Sequence, residues 1–198
     1  LESMSSGSKF IYGGVVGAMA TFAFGGPVNK TGTAVVNALY AEGIRDAKTV
    51  QVIASMIQPF GIAISCLIAR NKYTKAEKET LKAAVPMGCF MISEGVIPIA
   101  ARDLVRVVFA CVCGSFVAGG LSMVWGNSSE LLNGGFIAFP FFTSPVQGLV
   151  CLLIGSVITG VILAVIKKPV TELEEGLEED LGKELSDEDL DDINIEVM

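Results

Sequence analysis

The strongest chemical demand in this sequence comes from Glu94. It stands in CFMISEGVIPIAARDLVRVV, where no charged residue precedes it until Lys82 and none follows it until Arg102. An ionisable acid in so apolar a run is costly to bury, and within a membrane such acids mark binding or transport sites. Ser93 adds a hydroxyl beside it, and Gly95 leaves the backbone open to close approach. A second bonding set lies at residues 25–30, GGPVNK. There Gly25 and Gly26 admit a ligand close to the backbone, Asn29 both donates and accepts, and Lys30 offers a cation to a carboxylate or phosphate. These are groups that a polyol or sugar needs. Taken alone, the motif equally fits a helix terminus whose lysine reaches for the membrane surface.

The elements that must hold these residues are apolar. Hydrophobic residues make up 52% of the 198, mean hydropathy is +0.61 and glycines number 22. Charge-free runs cover 10–29, 49–69, 107–129 and 131–166. Each is long enough to span a hydrocarbon core, which takes about 20 apolar residues in a helix. A large soluble helical core would instead need a polar face on most helices, and only residues 72–82 supply one.

Lys and Arg cluster in three places: Arg70, Lys72, Lys75, Lys78 and Lys82; Arg102 and Arg106; Lys167 and Lys168. The positive-inside rule puts such clusters on the cytoplasmic face. All three share one face only if residues 83–101 enter the membrane and return. Pro86, Gly88, Gly95 and Pro98 interrupt that stretch, so a re-entrant hairpin is expected, with its broken backbone facing a wet cavity or packed protein. The same glycine and proline punctuation marks residues 24–30 and 133–145. Interrupted apolar segments of this kind point to the substrate site of a transporter. The expected fold is therefore all-α, a polytopic membrane protein with about four spanning helices plus re-entrant hairpins.

Charge divides the chain. Residues 1–170 carry 13 Lys/Arg against 8 Asp/Glu, a balance of +5, whereas residues 171–198 carry one Lys against 13 acids, a balance of −12. Residues 1–9 read as a polar leader without the features of a secretory signal, 10–168 as the membrane domain and 169–198 as an acidic cytoplasmic tail. In that tail Leu173, Leu177, Leu181 and Leu185 stripe one face if a helix forms, although the composition favours a solvated segment. No basic nucleic-acid footprint is present. Cys66, Cys89, Cys111, Cys113 and Cys151 lie in apolar stretches without a C-x-x-C pair or any histidine, so neither a metal site nor a disulfide framework is expected. Nucleotide loops, zinc motifs and nucleophile elbows are missing from the sequence, and no cofactor is expected. GSFVAGG at 114–120 and GSVITG at 155–160 suit close helix packing, and Trp125 suits the membrane surface.

FAFGGPVNK at 22–30, ISEGVIPIAARDLVRVV at 92–108 and NGGFIAF at 133–139, in this order and spacing, resemble the C-terminal half of the membrane-embedded IIC component of the fructose-type sugar phosphotransferase system. The resemblance covers residues 10–166. It implies transport of fructose or a related sugar across the bacterial inner membrane, with phosphorylation by a phosphorylated IIB partner. It also implies a homodimer, a transport domain with two re-entrant hairpins, and an N-terminal scaffold half supplied elsewhere.

Residue by residue, the resemblance gives Glu94 the role of binding sugar hydroxyls and of a possible base for the attacking hydroxyl. It places Gly25, Gly26, Asn29, Lys30, Ser93, Gly95 and Asn133 around the sugar, with Ser93 standing where Thr is usual. Asp103 and Arg106 match an Asp and Arg of the family. They serve either as an ion pair fixing the hairpin's end or, through Arg106 together with Arg102, as groups facing the phosphate or partner. Three positions depart from the pattern: Ala23 replaces an acid, Leu104 a proline and Asn133 a histidine. Asn133 still hydrogen-bonds but does not titrate near neutral pH. A sugar or polyol carrier without phosphorylation, proton-coupled through Glu94 or facilitated, and a half-permease without transport activity are the competing expectations.

Overall fold

A computed structural model describes residues 5–22, 24 and 26–170. Gly25, Ala23, the first four residues and the acidic tail with its leucine stripe lie outside the described residues. The described residues form seven α-helices and no strand, as the apolar runs require: α1 Ser6–Thr21, α2 Pro27–Ala41, α3 Asp46–Ile68, α4 Lys75–Gly88, α5 Ile97–Arg102, α6 Leu104–Val124 and α7 Pro145–Ile166.

Three of these, α3, α6 and α7, are long and apolar enough to cross a membrane, with 23, 21 and 22 residues. The chain is thus an all-α polytopic membrane protein. The first apolar run yields a shorter helix than its length allows. α1 has 16 residues, a rise of about 24 Å against a hydrocarbon core of about 30 Å. It stops before the GGP break, where Pro27 opens α2 as its first residue. The last run is likewise divided, since Gly135–Phe141 winds as a 3₁₀ segment before Ser144 and Pro145 start α7.

Small residues set the packing. α6 lies against α1, α3 and α7. A Cβ on Gly119 would stand 2.3 Å from the carbonyl oxygen of Gly13, so α1 and α6 touch backbone to backbone only because both positions lack side chains. The outer face of α7 is the converse. Val146, Leu149, Val150, Leu153, Val157, Val161 and Val165 are all exposed and, apart from the adjacent pair Leu149 and Val150, recur every three or four residues, the stripe that a lipid-facing helix presents.

The stretch 83–101 folds as the expected hairpin. α4 ends at Gly88, residues 89–93 turn the chain, Glu94–Val96 form a 3₁₀ turn, and α5 returns beside α4. α4 starts from a capping box in which Thr74 accepts from the Glu77 backbone N–H while the Glu77 carboxylate accepts from the Thr74 N–H.

Candidate functional site

The hairpin tip meets the broken segment after α6 directly. Met91 there has φ of +65°. The Phe136 N–H of the segment after α6 donates to the Cys89 carbonyl at 2.8 Å. Gly135 makes this joint possible, with φ of +57° and a phantom Cβ only 2.0 Å from the Cys89 oxygen. Any other residue there would meet both left-handed strain and a backbone clash. Phe136 then packs edge-on against Phe60 of α3, and Phe136, Phe139 and Phe142 stack in series. From the other side, Phe24 of the GGP break is buried in the same apolar cluster as Val96, Ile99 and Ala100 of the hairpin's return limb. Segment 133–145 therefore docks on the hairpin tip, whereas Phe24, Gly26 and Pro27 line one cavity with Ile97, Ala100 and Ala101 of the return limb.

Glu94 opens the 3₁₀ turn at this tip and is exposed; its carbonyl accepts from the Ile97 N–H, and its carboxylate has no hydrogen-bond or ion-pair partner among the described residues. Ser93 beside it is buried. Gly95 faces α4, where a Cβ would come within 3.2 Å of Ala84. Its bareness serves helix approach, so the backbone space expected for a ligand is taken by protein. Asn133 and Lys30 are exposed. Asn29 has a different place: its amide donates to the Ala20 carbonyl at 2.8 Å, and its oxygen accepts from Thr33 at 3.1 Å. One bond thus ties α2 to the end of α1 and the other lies within α2, so one N–H and one lone pair remain for a ligand.

The base of the hairpin is charged and closed. Lys167, only 3% exposed, donates to Glu77 at 2.8 Å and lies 3.8 Å from the centroid of the Tyr73 ring. Arg102 approaches the other Glu77 oxygen at 3.8 Å, and Arg106 donates to Asp103 at 2.8 Å. The Asp103–Arg106 ion pair weighed from the sequence is therefore present, at the junction of α5 and α6. Tyr73 donates to Ser65 at 2.8 Å. Burial pushes the Lys167 ammonium below its usual range and the Glu77 carboxylate partly restores it; burial likewise raises the Tyr73 phenol. Lys72 donates to the Ala164 and Val165 carbonyls at 2.8 and 3.0 Å, closing the C-terminus of α7. All three basic clusters accordingly send members to one end of the molecule.

One polar chain escaped the sequence reading. Lys48, 1% exposed, donates to Asn37 and to Gln51, each at 2.9 Å. Gln51 donates to Thr33, which donates to Asn29, and Gln58 donates to the same Ala20 carbonyl at 3.5 Å. The signal was available: Lys48, Gln51, Ser55 and Gln58 recur at three- and four-residue steps along one face of an apolar helix. Glu77 and Lys167 were less legible, because each looks like an ordinary charge at a helix end. Among the described residues no group of three His, Cys, Asp or Glu side chains is placed to hold a metal.

The chain is 38% identical over 168 residues, 84% of its length, to a PTS system fructose-specific EIIC component of Haloferax volcanii, and the match covers 45% of that protein. It is 36% identical over 173 residues to a fructose permease IIC component of Bacillus amyloliquefaciens, covering 87% of this chain and 56% of that one. Against a PTS system fructose-specific EIIB'BC component of Haemophilus influenzae the identity is 35% over 167 residues, or 84% of this chain and 30% of the relative. The chain thus spans about half the length, or less, of these relatives. No family model matches it, and no solved structure does.

Proposed function

We propose, from the premise that this chain belongs to the fructose-specific phosphotransferase IIC family, that it forms the sugar-holding transport part of such a permease. Fructose or a related hexose would pass through it and be phosphorylated by a IIB partner. Residues 10–168 are the transport domain, lying in the bacterial inner membrane with the basic end and the chain's C-terminus cytoplasmic. The N-terminal scaffold half and assembly as a homodimer complete it.

One observation carries this reading. Glu94 is exposed at the hairpin tip onto which the segment after α6 docks, and its carboxylate has no partner among the described residues. An ionised carboxylate with unused lone pairs accepts from two neighbouring hydroxyls of a sugar. Ser93, Asn133, Lys30 and the remaining capacity of Asn29 add donors and acceptors of the kind a hexose uses. In the phosphorylation step a sugar hydroxyl oxygen bonds to the phosphorus held on the IIB cysteine, and the sulfur–phosphorus bond breaks. The thiolate leaves, and Glu94 takes the hydroxyl proton. Asn133 stays neutral throughout, so the histidine it replaces is not needed as an acid or base in this scheme.

Calorimetric titration of fructose into the chain, co-expressed with the N-terminal part of a fructose IIC relative, tests the reading. Saturable binding lost in Glu94→Gln is expected. Equal binding by wild type and variant, or no binding to any of a panel of hexoses and polyols, would overturn it.

A further inference from the structure

We propose that Lys48 is a positioning residue: through Gln51 and Thr33 it fixes the side-chain amide of Asn29 in the orientation that meets the sugar. The proposal rests on the reading above for the sugar, but not for the chain of bonds.

Lys48 stands in the first turn of α3 and is 1% exposed. A buried ammonium in a membrane helix is costly. Both of its hydrogen-bond acceptors, the side-chain oxygens of Asn37 and Gln51, are neutral, so they solvate the cation without cancelling its charge. What the ammonium has that Gln, Asn, Ser and Thr lack is a fixed polarity, since it donates and never accepts.

That polarity passes along the chain. Because Lys48 only donates, the Gln51 oxygen faces it, and the Gln51 nitrogen is turned toward Thr33. The Thr33 hydroxyl accepts that N–H, which leaves its single hydrogen for the Asn29 side-chain oxygen at 3.1 Å. The Asn29 nitrogen in turn donates at 2.8 Å to the Ala20 carbonyl, a group that only accepts. A chain with a donor-only head and an acceptor-only end has one consistent direction. Gln51, Thr33 and Asn29, each able to bond either way, all donate away from Lys48.

The remaining N–H and lone pair of Asn29 therefore keep fixed sides. A sugar hydroxyl pair must match that order, and no amide rotation has to be frozen when it binds. The ladder also helps to hold α2, where Val36 is the only buried residue. Affinity lost by loosening α2 would follow thermal stability, whereas affinity lost by turning the Asn29 amide would not.

Calorimetric titration of fructose into the full chain, co-expressed with the N-terminal part of a fructose IIC relative, together with thermal unfolding, tests the proposal. Gln51→Glu is nearly isosteric and gives Lys48 a counter-charge, but it leaves the chain with acceptors at both ends. The Thr33 hydrogen then turns to the carboxylate, and a lone pair faces the Asn29 oxygen. Unfolding at or above the wild-type temperature, with fructose binding weakened about tenfold, is expected. Thr33→Val should weaken binding similarly, and Thr33→Ser, which keeps the hydroxyl, should restore it. Ser55→Ala should bind as wild type, because that hydroxyl bonds the Gln51 carbonyl within α3. Lys48→Met should weaken binding as Gln51→Glu does; if it fails to fold, Gln51→Glu and the Thr33 pair still decide.

A second readout needs no sugar. In nuclear magnetic resonance spectra of the chain with isotope-labelled asparagine, the side-chain amide signals of Asn29 are identified by their loss in Asn29→Ala. They should move in Gln51→Glu and Thr33→Val and stay in place in Ser55→Ala. Wild-type affinity in Gln51→Glu, affinity losses that only follow melting temperature across the variants, or unmoved Asn29 signals would overturn the proposal. Absence of fructose binding by the wild type, or equal binding by Glu94→Gln, would overturn the proposed function instead, and the amide signals would still decide whether Lys48 sets Asn29.

Discussion

Two glutamates on one hairpin have opposite fates. Glu77, near the start of α4, is 5% exposed and gives its carboxylate to the Thr74 N–H, to Lys167 and to Arg102. Glu94, at the tip, is exposed and gives its carboxylate to no described residue. A carboxylate has about four lone-pair sites, and one whose sites are occupied by the protein has little left for a ligand. The base of the hairpin is therefore architecture, and the tip is where bonding capacity remains.

The largest expected effect breaks the base. Glu77→Ala leaves Lys167 buried without its counter-charge and removes half of the capping box, so unfolding in detergent should come earlier by about 3–5 kcal/mol. A loss below about 1 kcal/mol would mean that water reaches Lys167 and that the base is not closed.

Gly135→Ala comes next. It combines left-handed strain of about 1–2 kcal/mol with the contact at the Cys89 carbonyl. Thermal unfolding should be lowered and fructose binding weakened together, because the segment after α6 can no longer seat on the tip. An unchanged melting temperature would show that the joint is adaptable.

Tyr73→Phe keeps the ring under Lys167 and removes only the hydroxyl that donates to Ser65. The expected cost is about 1 kcal/mol, the net value of one hydrogen bond. A much larger loss would mean that the hydroxyl orders more of the base than Ser65.

The smallest effect on stability belongs to the residue with the largest effect on binding. Glu94→Gln should unfold within about 0.5 kcal/mol of wild type, as expected for an exposed side chain without partners. A marked destabilisation would give Glu94 a structural role and erase the contrast with Glu77.

Much of this architecture was legible beforehand. Apolar runs announced the long helices, since crossing hydrocarbon requires length and the absence of charge. Pro86, Gly88, Gly95 and Pro98 announced the hairpin, and the requirement that three basic clusters share a face demanded it. The isolation of Glu94 was equally plain. The division of labour among polar residues was not. Asn29 looks like a free sugar ligand in GGPVNK, yet Ala20 and Thr33 take half of its bonds. Gly95 looks open to a ligand, yet α4 fills the space.

What the sequence determined by itself is the set of elements and the places where they break, because hydropathy, charge and backbone freedom are local properties. Tertiary structure alone decided which polar groups remain unspent. Lys167 finds Glu77 across 90 residues, and Phe136 reaches Cys89 across a complete membrane helix. Whether a side chain is satisfied depends on partners that only the packing of distant helices supplies, and no periodicity in the chain records them.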